Sequence, residues 1–192
     1  DAFYVQQTGA QLSQVLETLL HLYHETGCWL EIRTGLIPGV NDHPIELDAM
    51  TQWLYKHLGH EVPLHFSLRN TVGMTNRFSP GSVSLLQKAR KIAQGNGLSH
   101  VYVDHPDCPD GRHTHCECCG YRVIRRDVGH SPAMDLTERF ECPECGMKIK
   151  GKIRHVLFKA TAISGQGLRQ KIDYFSFQNQ DIDQNNALTG VV

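Results

Sequence analysis

The chain has 192 residues, 40% hydrophobic and 20% charged, with a formal net charge of -1. Those values fit one globular body with a small appendage and argue against a fibrous or wholly unfolded chain. The charge balance argues against non-specific binding of nucleic acid or anionic membrane, and no apolar run reaches the roughly 18 residues of a membrane span.

Three helix-then-strand segments follow one another. Residues 11–26 place Leu12, Val15, Leu16, Leu19 and Tyr23 at helical spacing and stop at Gly27. A strand is expected from Cys28 to Ile37, closed by Pro38-Gly39. A second helix over about 43–58 has Leu47, Met50, Leu54 and Leu58 on one face, with Asp42 as the expected N-cap and Glu46 in its first turn. Val62 to Arg69 reads as strand. A third helix opens at Ser79-Pro80, carries Val83, Leu86, Ala89 and Ala93 on its apolar face, and ends at Gly95-Asn96-Gly97. Ser99 to Asp104 is the third strand. Short connections between alternating helices and strands predict a parallel α/β sheet with helical crossovers.

The strands alternate instead of running apolar on both faces. Ile32, Leu64, Phe66, Leu68, Val101 and Val103 lie on one side; Glu31, Arg33, His65, Ser67, Arg69 and Tyr102 lie on the other. A polar face on a parallel sheet suits a barrel lumen, with the apolar face under the helices. The expectation is a partial, TIM-like β/α barrel over residues 1–105, of which three units form the C-terminal half. An open three-stranded sheet capped by a metal module is the alternative.

Six of the seven cysteines fall between Cys108 and Cys145. Cys116-x-x-Cys119 and Cys142-x-x-Cys145 are separated by 22 residues, and each pair is followed by a glycine, Gly120 or Gly146. Two such turns close a tetrahedral four-sulfur site suited to structural Zn²⁺, with iron as a variant of the same geometry. Tyr121–Ile124 supplies a strand for a zinc-ribbon-like module over residues 106–151. Cys118 reads as a spare thiol and Cys28 as packing. Cys108, His113 and His115 are either a second ligand set or loop residues. Residues 152–192 form a tail in which Arg154 to Ala162 suggests a strand and the amide-rich run Gln178 to Asn186 suggests disorder. Free thiols and the lack of a secretory signal point to the cytoplasm.

Several ordered landmarks carry a family resemblance. Phe3-Tyr4, Leu16-Glu17-Thr18-Leu19, Trp29-Leu30-Glu31-Ile32-Arg33-Thr34, Ile37-Pro38-Gly39-Val40-Asn41-Asp42 and His65-Phe66-Ser67, followed by the block Cys116 to Gly151, resemble the radical S-adenosylmethionine enzymes. The similarity is to the AmmeMemoRadiSam-system branch, related to pyruvate formate-lyase activating enzymes, and covers roughly residues 1–151. It implies a partial barrel whose [4Fe-4S] cluster cleaves S-adenosylmethionine to a 5′-deoxyadenosyl radical that abstracts hydrogen from a small-molecule or protein substrate. It also implies an electron donor such as flavodoxin or ferredoxin. By the same resemblance Arg33 helps hold S-adenosylmethionine, with His65, Ser67 and Asn70 as further candidates.

Each of these residues has a plainer reading as well. Arg33 with Glu31 also reads as an ion pair inside the barrel, and His65 as a packed histidine. The sequence departs from the family at the cluster: no CxxxCxxC triplet occurs, so the cluster-binding part is expected upstream of this chain. A non-catalytic zinc-ribbon adaptor on a remnant barrel is the competing function. A nucleic-acid-binding ribbon, resting on Arg122, Arg125, Arg126, Lys148, Lys150 and Lys152, is the weakest reading.

Overall fold

A computed structural model describes residues 2–69, 80–151 and 190–191. In chain order the helices and strands are α1 (Ala2–Thr8), α2 (Leu12–Glu25), β1 (Ile32–Leu36), α3 (Pro44–Leu58), β2 (Leu64–Leu68), α4 (Pro80–Gly95), β3 (Val101–Val103), β4 (Thr114–His115), β5 (Arg122–Arg125), β6 (Ala133–Met134) and β7 (Gly190–Val191). The chain divides into two compact units: Asp1–Asp104 with Asp183–Val192, and His105–Ile182.

The first unit is a mixed α/β body built on a parallel sheet of order β3-β2-β1-β7. Ile32, Arg33 and Thr34 pair with Leu64, His65 and Phe66, and the last two of these pair with Tyr102 and Val103. The crossovers are α3 and α4, as the alternating helix and strand patterns require. The alternation in the sequence becomes the two faces of the sheet. Ile32, Leu36, Leu64, Phe66 and Val103 are all but inaccessible and meet Leu58, Leu86, Ala89 and Ala93 in the core. Each such leucine, isoleucine, valine or phenylalanine contributes roughly 1.5–3 kcal/mol by leaving water. Thr34 lies on the same buried side and directs its hydroxyl to the Met50 sulfur on α3. The other face, with Arg33, His65, Ser67 and Tyr102, stays partly open.

Several local features differ from the sequence expectation. The N-cap of α3 is His43, not Asp42: with Pro44 at the first helical position the cap falls one residue later, and His43 Nδ1 accepts the Ile45 amide at 3.4 Å. The first strand is shorter than Cys28 to Ile37, because residues 28–31 run outside the ladder. Helix α1 precedes the first expected helix. In the C-terminal tail, Gly190 and Val191 form β7, parallel to β1 at Ile32 and Arg33. Ser79, the expected cap of α4, and the segments Arg154 to Ala162 and Gln178 to Asn186 lie outside the described residues. Asn96, just after α4, ties that helix end to α3 by reaching Asp48 Oδ1 and Thr51 Oγ1, both at 2.8 Å.

The second unit is small and antiparallel. Its three short strands have the order β4-β5-β6, with Ile124 paired to both Thr114 and Met134. Val123, Met134 and Leu136 pack with Cys116 and Cys142 in a compact core, flanked by Tyr121, Ile124 and Ile149. Tyr121 donates its hydroxyl proton to Asp135. Among the described residues no helix is long and apolar enough to cross a membrane.

Candidate metal centre and the polar sheet face

Two turns of the same design bring the four expected cysteines together. In the first, the Gly120 amide donates to the Cys116 carbonyl at 2.9 Å and the Cys116 amide to Tyr121 at 2.8 Å. In the second, the Gly146 amide donates to Cys142 and the Cys142 amide to Met147, each at 2.8 Å. Gly120 and Gly146 both have φ of 74°, in the left-handed region that a residue with a Cβ enters at a cost. The glycine after each CxxC therefore turns the chain back and leaves both sulfurs on one side.

The sulfurs of Cys116, Cys119, Cys142 and Cys145 all lie within 4.8 Å of one another. Cys116 Sγ is 3.5 Å from Cys145 Sγ, and Cys119 Sγ is 3.6 Å from Cys142 Sγ. These are not disulfides, and every described cysteine is free. A tetrahedral ion with Zn–S bonds of about 2.3 Å spaces its sulfurs by about 3.8 Å, close to these separations. The arrangement can hold a metal ion such as zinc.

The thiol acidities describe the same geometry. Burial opposes ionisation of Cys116, but the backbone amides of Cys119 and Cys118 and the adjacent thiols outweigh it and hold its thiol down to about 7. For Cys145 the Met147 amide favours the thiolate, yet desolvation and the thiols of Cys116, Cys119 and Cys142 override it and push ionisation far upward. For Cys119 the Tyr121 amide and the Cys145 thiol favour the thiolate, but desolvation and the thiols of Cys142 and Cys116 outweigh them and raise it. Cys116 thus forms its thiolate readily, while Cys119 and Cys145 resist ionisation. A divalent cation at the centre reverses that resistance.

The neighbouring candidates do not join this group. Among the described residues only the four cysteines meet as possible ligands. His113 is buried, and its Nδ1 accepts the Arg126 amide at 3.0 Å, which makes it part of the framework. Burial, and then the Arg122 charge, lower its basicity. Cys108 is buried beside a short helical turn, Pro109–Gly111, and Cys118 is exposed. His115 lies in β4, with its ring centroid 6.4 Å from that of His113.

The first unit holds the other candidates. Arg33, His65 and Tyr102 stand side by side in register across β1, β2 and β3. Glu31, two residues ahead of Arg33, is on the same face. Its Oε1 accepts the Trp29 indole N–H at 2.8 Å, and its Oε2 lies 3.1 Å from His65 Nε2. The His65 ring stacks on Tyr102 at 4.9 Å between centroids. Trp29 and His65 are thus among the partners of Glu31. Ser67 faces the same way, half-buried, and pairs in register with Gly35. Asn70 lies outside the described residues. Sequence reasoning placed Glu31, His65 and Tyr102 on one face but had no means of joining them, since that needs the pairing register.

Comparison with known proteins adds one relative. The uncharacterized protein MJ0808 of Methanocaldococcus jannaschii is 32% identical over 148 residues, which cover 77% of this chain and 44% of the relative. The chain thus matches less than half the length of that relative. No family model and no solved structure matches the chain.

Proposed function

We propose that the chain is part of a radical S-adenosylmethionine enzyme whose polar sheet face receives the cofactor and whose four cysteines hold a structural zinc ion. The observation that carries the reading is the placement of exposed Arg33 directly beside His65 on the open face of a parallel sheet. A guanidinium there offers the paired N–H donors that a carboxylate such as the methionyl group takes. Bound S-adenosylmethionine supplies hydrogen-abstraction chemistry, while the protein's part is to bind, orient and shield it. Arg33 would take the carboxylate, and His65 and Ser67 would offer polar contacts on the same face. The apolar side of the sheet, packed under α3 and α4, fits the wall of a partial barrel with that polar face toward its interior.

The iron–sulfur cluster does not fit the residues present. No CxxxCxxC triplet occurs, and the clustered cysteines already match a closed tetrahedral ion. In this reading the cluster belongs to a further part of the protein, which agrees with a relative more than twice as long as the stretch it shares. An electron donor of the flavodoxin or ferredoxin kind and a cytoplasmic setting follow from the same proposal.

The test is anaerobic reconstitution of the full-length protein with iron and sulfide, followed by assay of 5′-deoxyadenosine formed from S-adenosylmethionine under reduction. Arg33→Ala should lower the yield at limiting cofactor by roughly 10- to 100-fold, the equivalent of one charged hydrogen-bonded contact. An unchanged yield removes Arg33 from the cofactor site. A protein that takes up zinc but no iron and forms no 5′-deoxyadenosine overturns the enzyme reading. It would leave the zinc-ribbon adaptor, which the closed four-cysteine site beside a missing cluster triplet favours.

A further inference from the structure

Four side chains of the open sheet face, Trp29, Glu31, His65 and Tyr102, form one row that ends at the buried His100. The Trp29 indole N–H fixes one oxygen of Glu31 at 2.8 Å, and the other oxygen stands 3.1 Å from His65 Nε2. On its far side the His65 ring lies against Tyr102, 25° from parallel, and Tyr102 in turn lies nearly parallel to His100 with centroids 6.5 Å apart. The carboxylate and the phenol ring hold the imidazole in place from two directions. Yet its side chain keeps 26% exposure.

A carboxylate only accepts hydrogen bonds. The nitrogen facing Glu31 must therefore carry a proton, and in the neutral imidazole the remaining nitrogen, Nδ1, is left with a lone pair. Free histidine exchanges between two tautomers; this one is committed by its partner. We infer that Glu31 is a positioning residue that locks His65 in its Nε2–H form, so that Nδ1 serves as a hydrogen-bond acceptor for an N–H or O–H donor of a ligand on the sheet face. Arg33, in register with His65, presents donors only. The two neighbours thus offer opposite hydrogen-bonding characters, and a ligand carrying a carboxylate and a nearby hydroxyl or amine fits both. Trp29 has a matching part, because its bond to Oε1 keeps the carboxylate from turning away.

The ligand class rests on the cofactor reading, but the tautomer does not. The experiment is ¹⁵N-detected NMR of histidine-labelled chain, recorded where the imidazole is neutral, for wild type, Glu31→Ala and Trp29→Phe. In the wild type His65 should show a protonated Nε2 and an unprotonated Nδ1. In Glu31→Ala the two nitrogens should move toward the averaged values of an exchanging imidazole, and Trp29→Phe should fall between. An Nδ1–H tautomer in the wild type, or an unchanged spectrum in Glu31→Ala with the fold retained, overturns the inference. Added S-adenosylmethionine should shift Nδ1 in the wild type. If Nδ1 stays still while the tautomer is as stated, the cofactor reading fails and the role of Glu31 stands.

Discussion

Arg69 lays the aliphatic part of its side chain across Gly35: a Cβ built on that glycine would stand 2.5 Å from both Cγ and Cδ of Arg69. Gly35 has ordinary extended backbone, so the absence of a side chain there answers to space and not to strain. In a strand, alanine is favoured over glycine by roughly 0.5–1 kcal/mol, because it has less freedom to lose. Gly35→Ala should therefore bring a gain and a clash together. Arg69 is exposed and can swing aside, so the single variant should stay within about 1 kcal/mol of wild type. In an Arg69→Ala background the clash is gone, and Gly35→Ala should then stabilise by roughly 0.5–1 kcal/mol. Chemical denaturation of the four proteins of this double-mutant cycle reads the coupling directly. Additive effects would show that the two residues do not meet.

Asn41 closes the end of β1 from the following loop. Its Oδ1 accepts the Ile37 amide at 2.7 Å and its Nδ2 donates to the Gly35 carbonyl at 3.0 Å. The carboxamide stands in for a peptide group of a neighbouring strand, satisfying one donor and one acceptor at once. Asn41→Ala should cost about 1–3 kcal/mol, the usual loss when a part-buried pair is stranded. Asn41→Asp should recover little of it, since a carboxylate serves the amide but repels the carbonyl. Denaturant midpoints for both variants check this. Full wild-type stability in Asn41→Asp would mean that the bond to Gly35 contributes nothing.

The metal centre makes a sharper prediction. The protein should bind one zinc per chain, and cobalt in its place should give the charge-transfer and ligand-field spectrum of a tetrahedral four-thiolate site. Cys142→Ser should reduce metal content to trace levels at micromolar protein, because Cys142 belongs both to the four-sulfur group and to the core cluster with Val123. Metal binding and folding are coupled in small units of this kind. Chelation should therefore unfold the second unit while the helical signal of the first persists. Cys118→Ser, which alters an exposed thiol outside the group, should leave metal content unchanged. Equal loss in both variants would argue against the four-sulfur assignment.

What the sequence discloses follows the range of the interaction. The period-two pattern of Val62 to Leu68 separates the two faces of β2 because burial acts residue by residue. The CxxCG pairs disclose the metal group because each turn is closed within six residues, from Cys116 to Tyr121 and from Cys142 to Met147. The row from Trp29 to His100 is not legible, since it depends on the register that sets His65 against Arg33 and Tyr102. Nor is β7, whose two residues join β1 from the far end of the chain with no pattern long enough to announce a strand. His43 was hidden as a cap because histidine is a poor statistical cap, although Pro44 marks the position.

His113 gives the second unit a pH dependence whose sign follows from its hydrogen bond. Nδ1 accepts the Arg126 amide at 3.0 Å, which requires an unprotonated nitrogen there. Burial first, and the Arg122 charge next, lower its basicity below the ordinary value of 6.5 in the folded unit. Between the lowered folded value and 6.5 the unfolded chain binds more protons, so stability rises with pH through that window. The contribution is present above 6.5 and is lost as pH falls through the folded value. Acid would also protonate the cysteines of a metal-loaded four-sulfur group, so the variant His113→Asn is needed to separate the two effects. An asparagine side-chain oxygen can accept the same amide and does not titrate. Thermal unfolding of zinc-loaded wild type and His113→Asn from pH 7.5 to pH 5 should show the wild type losing more stability, with the curves converging above about pH 7. Parallel curves would mean that His113 binds its proton equally well in the folded and unfolded states and that the Arg126 bond is not pH-linked.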